Sequence, residues 1–318
     1  MSIGLSNQLQ VCQLLWKSRL KLFMKRSTSI YNGMLLLTAV IWGLAFVAQC
    51  TAMDHIGPYC FNAVRFFVGA CSLAPLILWR RRKKQSDNPV ISRSLIIGGV
   101  FMGLLLFAGI SLQQVGLQYT TVGNAGFISG LYIVLVPVIG LFIGEKTEIN
   151  TWLGMVLALI GLYLLTMHGE LSLNNGDKLM LGGTLFWALH VLLVGFLVVR
   201  HSALFLAVIQ FIVCAGFSLV MALATEDITM EGIKGAWAAI AFVGFVSTGL
   251  AYALQLNAQT NTPAAHAALI LSLAAVFAVL GGWVWLDETV AMQTLVGCGV
   301  MLTGMLVSQM DIRLLKRC

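Results

Sequence analysis

The chain carries too few charges to face water over its whole surface. Only 10% of its 318 residues are Asp, Glu, Lys or Arg, against about 25% in an ordinary soluble domain. A solvated globular fold is therefore excluded. Acidic residues are scarcer still. All twelve fall in connecting segments or at helix ends, so the intramembrane carboxylate that a proton-driven carrier ordinarily uses is missing. Cysteines in CxxC pairs are absent too. The seven present (Cys12, Cys50, Cys60, Cys71, Cys214, Cys298 and Cys318) are odd in number and lie mostly in apolar runs. That argues against a disulfide framework or thiolate metal site, and for small apolar packing. No HExxH, GxSxG or paired-carboxylate motif occurs, and the five histidines are dispersed. A lipid-modifying membrane enzyme would need such groups. No cofactor or metal is expected.

What the chain has is long apolar runs, with 59% apolar residues and a mean hydropathy of +0.92. Ten runs, at 33–51, 59–79, 95–115, 120–144, 151–168, 179–199, 203–225, 236–256, 264–286 and 290–310, approach or exceed the roughly 20 residues that cross a bilayer as helix. The segments between them are too short for a soluble domain. The formal charge of +7 does not mark a nucleic-acid partner, because the basic residues sit in short segments between runs. Sixteen of the nineteen Lys and Arg fall on one side, chiefly Lys17–Arg26, Arg80–Lys84, Arg93 and the tail Arg313–Arg317; only Lys178 and Lys234 fall on the other. This asymmetry predicts cytoplasmic N- and C-termini and an even number of crossings. Residues 1–32 interleave Leu5, Leu9, Leu14, Leu15, Trp16, Leu20 and Phe23 with basic residues, the pattern of an interfacial amphipathic helix. A signal peptide does not fit, since the apolar run after the charges is a full span without a small-residue cleavage site. Met24 before Lys25 and Arg26 would also serve as a start, which would make residues 1–23 an extension.

The two halves resemble each other. An offset of 145 aligns Trp42 with Trp187, Phe66 with Phe211 and Ala70 with Ala215; an offset of 143 aligns Glu145 with Glu288, Gly154 with Gly297, Leu159 with Leu302 and Gly161 with Gly304. Each unit (33–168 and 177–310, with 311–318 as a tail) holds five crossings. An odd count forces the second copy to enter the membrane upside down. Inverted repeats are an architecture of alternating-access carriers.

With Ile41-Trp42-Gly43, Arg65-Phe66, Tyr119-Thr120-Thr121, Asn261-Thr262-Pro263-Ala264-Ala265, Gly144-Glu145-Lys146 and Leu286-Asp287-Glu288-Thr289, the chain resembles the drug/metabolite transporter superfamily, EamA-type, from about residue 33 to 310. Leu273-Ala274-Ala275-Val276-Phe277 is similar to the family's Leu-Glu-Pro-Val-Phe stretch without its glutamate and proline, and Leu131–Val134 lacks them too. The resemblance implies an all-α bundle of ten membrane helices around a central cavity lined largely by the first, third, fourth, sixth, eighth and ninth. It also implies a bacterial inner-membrane protein that exports or exchanges small metabolites such as amino acids. A sensor or channel module is the alternative. The oligomeric state is left open.

Polar groups inside spans are costly unless paired or hydrated, so they mark candidate cavity faces. Arg65 is the one permanent charge inside a span, read as an anion-attracting group near the cavity mouth, as a gate pairing with Asp54, or as a packing residue. Trp42, Phe46 and Gln49 share one helix face, with Trp187, His190 and Val191 as the repeat partners. Asn124 and Ser129 in the fourth span, His266 and Ser272 in the ninth, Gln113 and Gln114 in the third, and Tyr252 and Gln255 in the eighth complete the candidate substrate ligands. His190 and His266 could titrate in place of a carboxylate, but the lack of an intramembrane acid favours a facilitator or exchanger, or coupling through an end-of-helix acid such as Asp54. Gly99–Gly103 and Gly126–Gly130 form GxxxG pairs, which read as close helix packing.

Overall fold

The computed structural model describes residues 29–82, 92–166 and 174–310, so the predicted amphipathic helix before residue 29 lies outside them. Among the described residues, nine helices are long and apolar enough to cross a membrane, α1 (Ser29–Ala52), α2 (Pro58–Arg82), α3 (Arg93–Leu117), α4 (Val122–Phe142), α6 (Asn175–Val198), α7 (Ala203–Thr225), α8 (Trp237–Ala258), α9 (Ala264–Trp285) and α10 (Met292–Gln309), and a shorter apolar helix, α5 (Ile149–Thr166), lies between α4 and α6. The apolar runs locate all of them within a few residues. A six-residue helix, Met230–Gly235, precedes α8.

Helix starts are set by local chemistry. Thr121 caps α4 by accepting from the Asn124 amide, and Ser92 caps α3 by accepting from that of Leu95. At α6, Asn174 and Asp177 form a capping box, and Thr120 donates to Asp177 at 2.7 Å. Such caps satisfy the free N–H groups of a first turn. Two starts are capped from far along the chain. The Glu226 carboxylate accepts from Tyr59 and Cys60 (2.7 and 2.8 Å) at the head of α2, and Glu288 accepts from Val122 and Gly123 (2.9 and 3.2 Å) at the head of α4. Replacing either glutamate by alanine is expected to lower stability by about 1–2 kcal/mol, read as an earlier unfolding transition in detergent. Unchanged transitions in both variants would remove the capping role.

The repeats pack through symmetry-related contacts. In the antiparallel pair α5 and α10, Gly154 lies against the Gly304 carbonyl and Gly161 against the Gly297 carbonyl; a Cβ at either first-half glycine would sit 2.6 Å from that oxygen. The partners exchange across the 143-residue offset, as an inverted two-fold relation requires. Phe66 and Phe211, the pair offset by 145, meet with ring centroids 5.9 Å apart. The turns after α4 and α9 also correspond. Gly144 (φ 85°) and Asp287 (φ 53°) both adopt the left-handed conformation common at helix C-termini, each just before a repeat glutamate. The two glutamates differ in engagement. Glu288 holds the head of α4, whereas no hydrogen bond forms to the Glu145 side chain among the described residues, and burial raises its carboxyl pKa above the usual range.

Both GxxxG pairs pack closely. Gly99 and Gly103 lie against Ile209 and Val213 of α7, Gly126 against Ala275 and Ala278 of α9, and Gly130 against Leu162 of α5. Apolar side chains such as Phe67, Phe101, Phe142, Phe196 and Leu223 are exposed, forming the lipid-facing surface. Trp237, Trp283 and Trp285 are exposed at the end of the bundle opposite the N-terminus of α1, where an interfacial aromatic belt belongs.

α4 and α9 are not continuous. α4 breaks at Leu131 and α9 at Ser272–Leu273, at nearly equivalent places in the two repeats. α8 departs differently: Phe242–Ala251 is π-helical. Such wide turns are rare and cluster at functional sites.

Candidate functional site

A cavity lies between the halves where these irregularities meet. The breaks supply Ser129, Gly130 and Tyr132 from α4 and Leu271, Ser272, Ala274 and Ala275 from α9. Trp42, Phe46 and Gln49 come from α1, Ile110 and Gln113 from α3, Trp187 and Val191 from α6, and Ser247 and Tyr252 from α8. To the six helices implied by the resemblance the structure adds α2, through Arg65. The lining residues occupy the middle of the bundle and the half away from the termini. In the other half, Leu35, Ile133 and Val136 pack with the alanines Ala264, Ala265, Ala267 and Ala268 into a continuous core.

The aromatic wall is built on the duplication. Trp42 and Trp187 lie 6.2 Å apart, and Tyr252 sits 4.8 Å from Trp42. Each indole N–H donates to the third helix of the opposite repeat. Trp187 donates to Gln113 Oε1 on α3 at 3.0 Å, and Trp42 to the Ser247 carbonyl in the π-helical stretch of α8 at 3.3 Å. A regular α-helix commits its interior carbonyls to its own ladder, so the altered register helps α8 to offer one. Thr38 likewise donates to the Ala251 carbonyl.

Arg65 is 2% exposed. It neither snorkels to an interface nor pairs with Asp54, which is exposed. Its Nε donates to Asn62 Oδ1 at 2.9 Å, its guanidinium carbon lies 5.3 and 4.7 Å from the Phe61 and Phe66 ring centroids, and its buried Nη2 has no acceptor. Placing a charge at mid-membrane costs at least about 2.5–3.5 kcal/mol, and cation–π contacts of about 0.5–2 kcal/mol each offset part of that.

Nine of the fourteen candidates therefore share one cavity wall: Trp42, Phe46, Gln49, Arg65, Gln113, Ser129, Trp187, Tyr252 and Ser272. The other five lie off it. Gln114, one residue from Gln113 and so rotated about the helix, turns to the Gln49 carbonyl and Met53 sulfur. His190 is fully buried behind Trp187 and pairs with Gln210 at 2.8 Å. Gln255 donates to Gln259, which in turn donates to the Val191 carbonyl. Asn124 and His266 lie in the first turns of α4 and α9, away from the lining. Sequence reasoning missed Tyr132, which flanks a helix break, and Ser247, which contributes a main-chain carbonyl that no side-chain pattern reports. The described residues contain no cluster of three His, Cys, Asp or Glu able to hold a metal ion.

The sequence profile described as "EamA-like transporter family" matches residues 29–167 and again 174–310. The chain belongs to this family. Among relatives of this EamA protein, an "Uncharacterized transporter" of Archaeoglobus fulgidus is 32% identical over 77% of this chain and 75% of its own length. The "Uncharacterized transporter YoaV" of Bacillus subtilis is 25% identical over 82% and 92%. The "Uncharacterized inner membrane transporter YedA" of Escherichia coli is 30% identical over 49% and 50%. A solved crystal structure 16% identical in sequence superposes with a TM-score of 0.72 over 91% of this chain and 99% of that one, a likeness of fold alone. The EamA protein is thus a multi-pass membrane transporter and not an enzyme. Its duplicated family match accords with the Trp42/Trp187, Phe66/Phe211, Gly154/Gly304 and Gly161/Gly297 contacts.

Proposed function

We propose that this EamA protein is a secondary carrier that moves a small polar metabolite, an amino acid or similar solute, outward or in exchange by alternating access. Both termini would lie in the cytoplasm of a bacterium, with the protein in the inner membrane. One observation supports the reading: a cavity lies between the two halves, with a pseudo-symmetric tryptophan pair side by side in its wall. Two copied halves that can each close one end move an opening across the bilayer without a continuous pore.

The test is flux in proteoliposomes loaded with radiolabelled amino acids first, then other small polar solutes. Saturable exchange, absent from protein-free vesicles, is expected. Flux that rises linearly with concentration would favour a channel, and the absence of flux for every solute in folded protein would end the carrier reading. Topology is tested separately. Accessibility tags near residue 87 and at the C-terminus should report the cytoplasm and a tag near residue 173 the opposite face; placement of all three on one side would refute the inverted insertion.

A further inference from the structure

We propose that the cavity recognises its solute through a carboxylate, which the Arg65 guanidinium receives while the aromatic wall takes the less polar body. This rests on the carrier reading and names the chemistry of its cargo. Arg65 is a buried cation on the cavity wall that uses one N–H on Asn62 and leaves Nη2 without an acceptor. The Phe61 and Phe66 rings stabilise the charge but accept no conventional hydrogen bond. No carboxylate appears among the residues lining the cavity, so the wall carries an unneutralised positive charge.

A second donor points the same way. Gln113 Oε1 accepts from Trp187 at 3.0 Å and from Ser129 at 3.4 Å. That fixes which end of the amide is the oxygen. The nitrogen end is left as a donor with no acceptor among the described residues. A guanidinium fork and an amide N–H₂ suit a planar oxyanion. One cation on the wall matches a monoanion better than a phosphate dianion, which calls for more positive charge. Trp42 and Tyr252, with ring centroids 4.8 Å apart, offer flat apolar surface for the remainder of the solute.

The experiment uses purified full-length protein in detergent at neutral pH, with intrinsic tryptophan fluorescence reporting occupancy beside Trp42 and Trp187. The probes are matched acid and amide pairs: phenylacetate with phenylacetamide, 4-methylpentanoate with 4-methylpentanamide, and L-leucine with L-leucinamide. The acid members are expected to bind at least tenfold more tightly than the amides. Arg65→Gln should bring that ratio close to one, and Arg65→Lys should keep part of it. Should Arg65→Gln fail to fold, Gln113→Glu serves instead, since a carboxylate on the wall competes for the cation and should weaken the acids more than the amides. Equal binding of acids and amides, an acid preference that survives Arg65→Gln or Gln113→Glu, or no binding by any acid overturns the proposal. Acids that bind without saturable flux would sink the carrier reading and leave this one standing. Saturable flux of neutral solutes with no acid preference would do the reverse.

Discussion

Trp42→Ala and Trp187→Ala are each expected to reduce saturable flux at least tenfold while the protein still folds and inserts. Each indole forms part of the cavity wall and also ties its own half to the third helix of the other, through Gln113 on one side and the Ser247 carbonyl on the other. Truncation removes part of the cavity wall, where the proposed solute would rest, and one tether between the halves. Both side chains are partly exposed to the cavity rather than sealed in the core, so the cost falls on function more than on folding. Phenylalanine at either position separates the two contributions, because it keeps much of the ring and loses the N–H. Flux is measured in proteoliposomes at matched protein density, with size-exclusion profiles as the folding control. Wild-type rates in both alanine variants would remove the cavity assignment.

The second large effect concerns stability. Gly161→Ala is expected to destabilise the protein by about 1–3 kcal/mol, the range of overpacking in a filled interface, and Gly154→Ala combined with it should abolish a monodisperse product. At both sites the new Cβ would meet a backbone carbonyl at 2.6 Å, and backbone cannot rotate aside as a side chain can. α5 and α10 would have to separate along their length. Gly216→Ala and Gly299→Ala are controls, since nothing lies within 4 Å of a Cβ there. Thermal unfolding in detergent reads the difference. Equal transitions for Gly161→Ala and Gly299→Ala would show that the glycine contact is not what holds the pair together.

The spans were legible because crossing hydrocarbon requires length and low polarity, and both are written in consecutive residues. α7 runs from Ala203 to Thr225, the bounds read from the sequence. The tryptophan pair was legible because a duplication keeps its offset. The breaks in α4 and α9 were not. Leu131 and Leu273 are as apolar as their neighbours, and hydropathy is blind to an interrupted hydrogen-bond ladder. Nor was the capping of α4 by Glu288, which joins residues 166 apart in sequence. Polar residues inside spans were a fair guide to the cavity and an incomplete one. Gln113 and Gln114 are identical neighbours, yet only the first reaches the wall. His190 pairs through Nε2 with Gln210, a partner on α7 that one-dimensional spacing cannot pair with it.

The breaks at Leu131 and Ser272–Leu273 have a mechanical consequence. An uninterrupted helix resists bending along its whole length, because tilting one end strains every turn between. Where the ladder is cut midway, each rod becomes two levers on one pivot, and a few peptide units absorb the change in angle. Since the pivots of α4 and α9 stand at the level of the cavity, the proposed carrier motion would let one arm of each rod swing while its other arm stays packed.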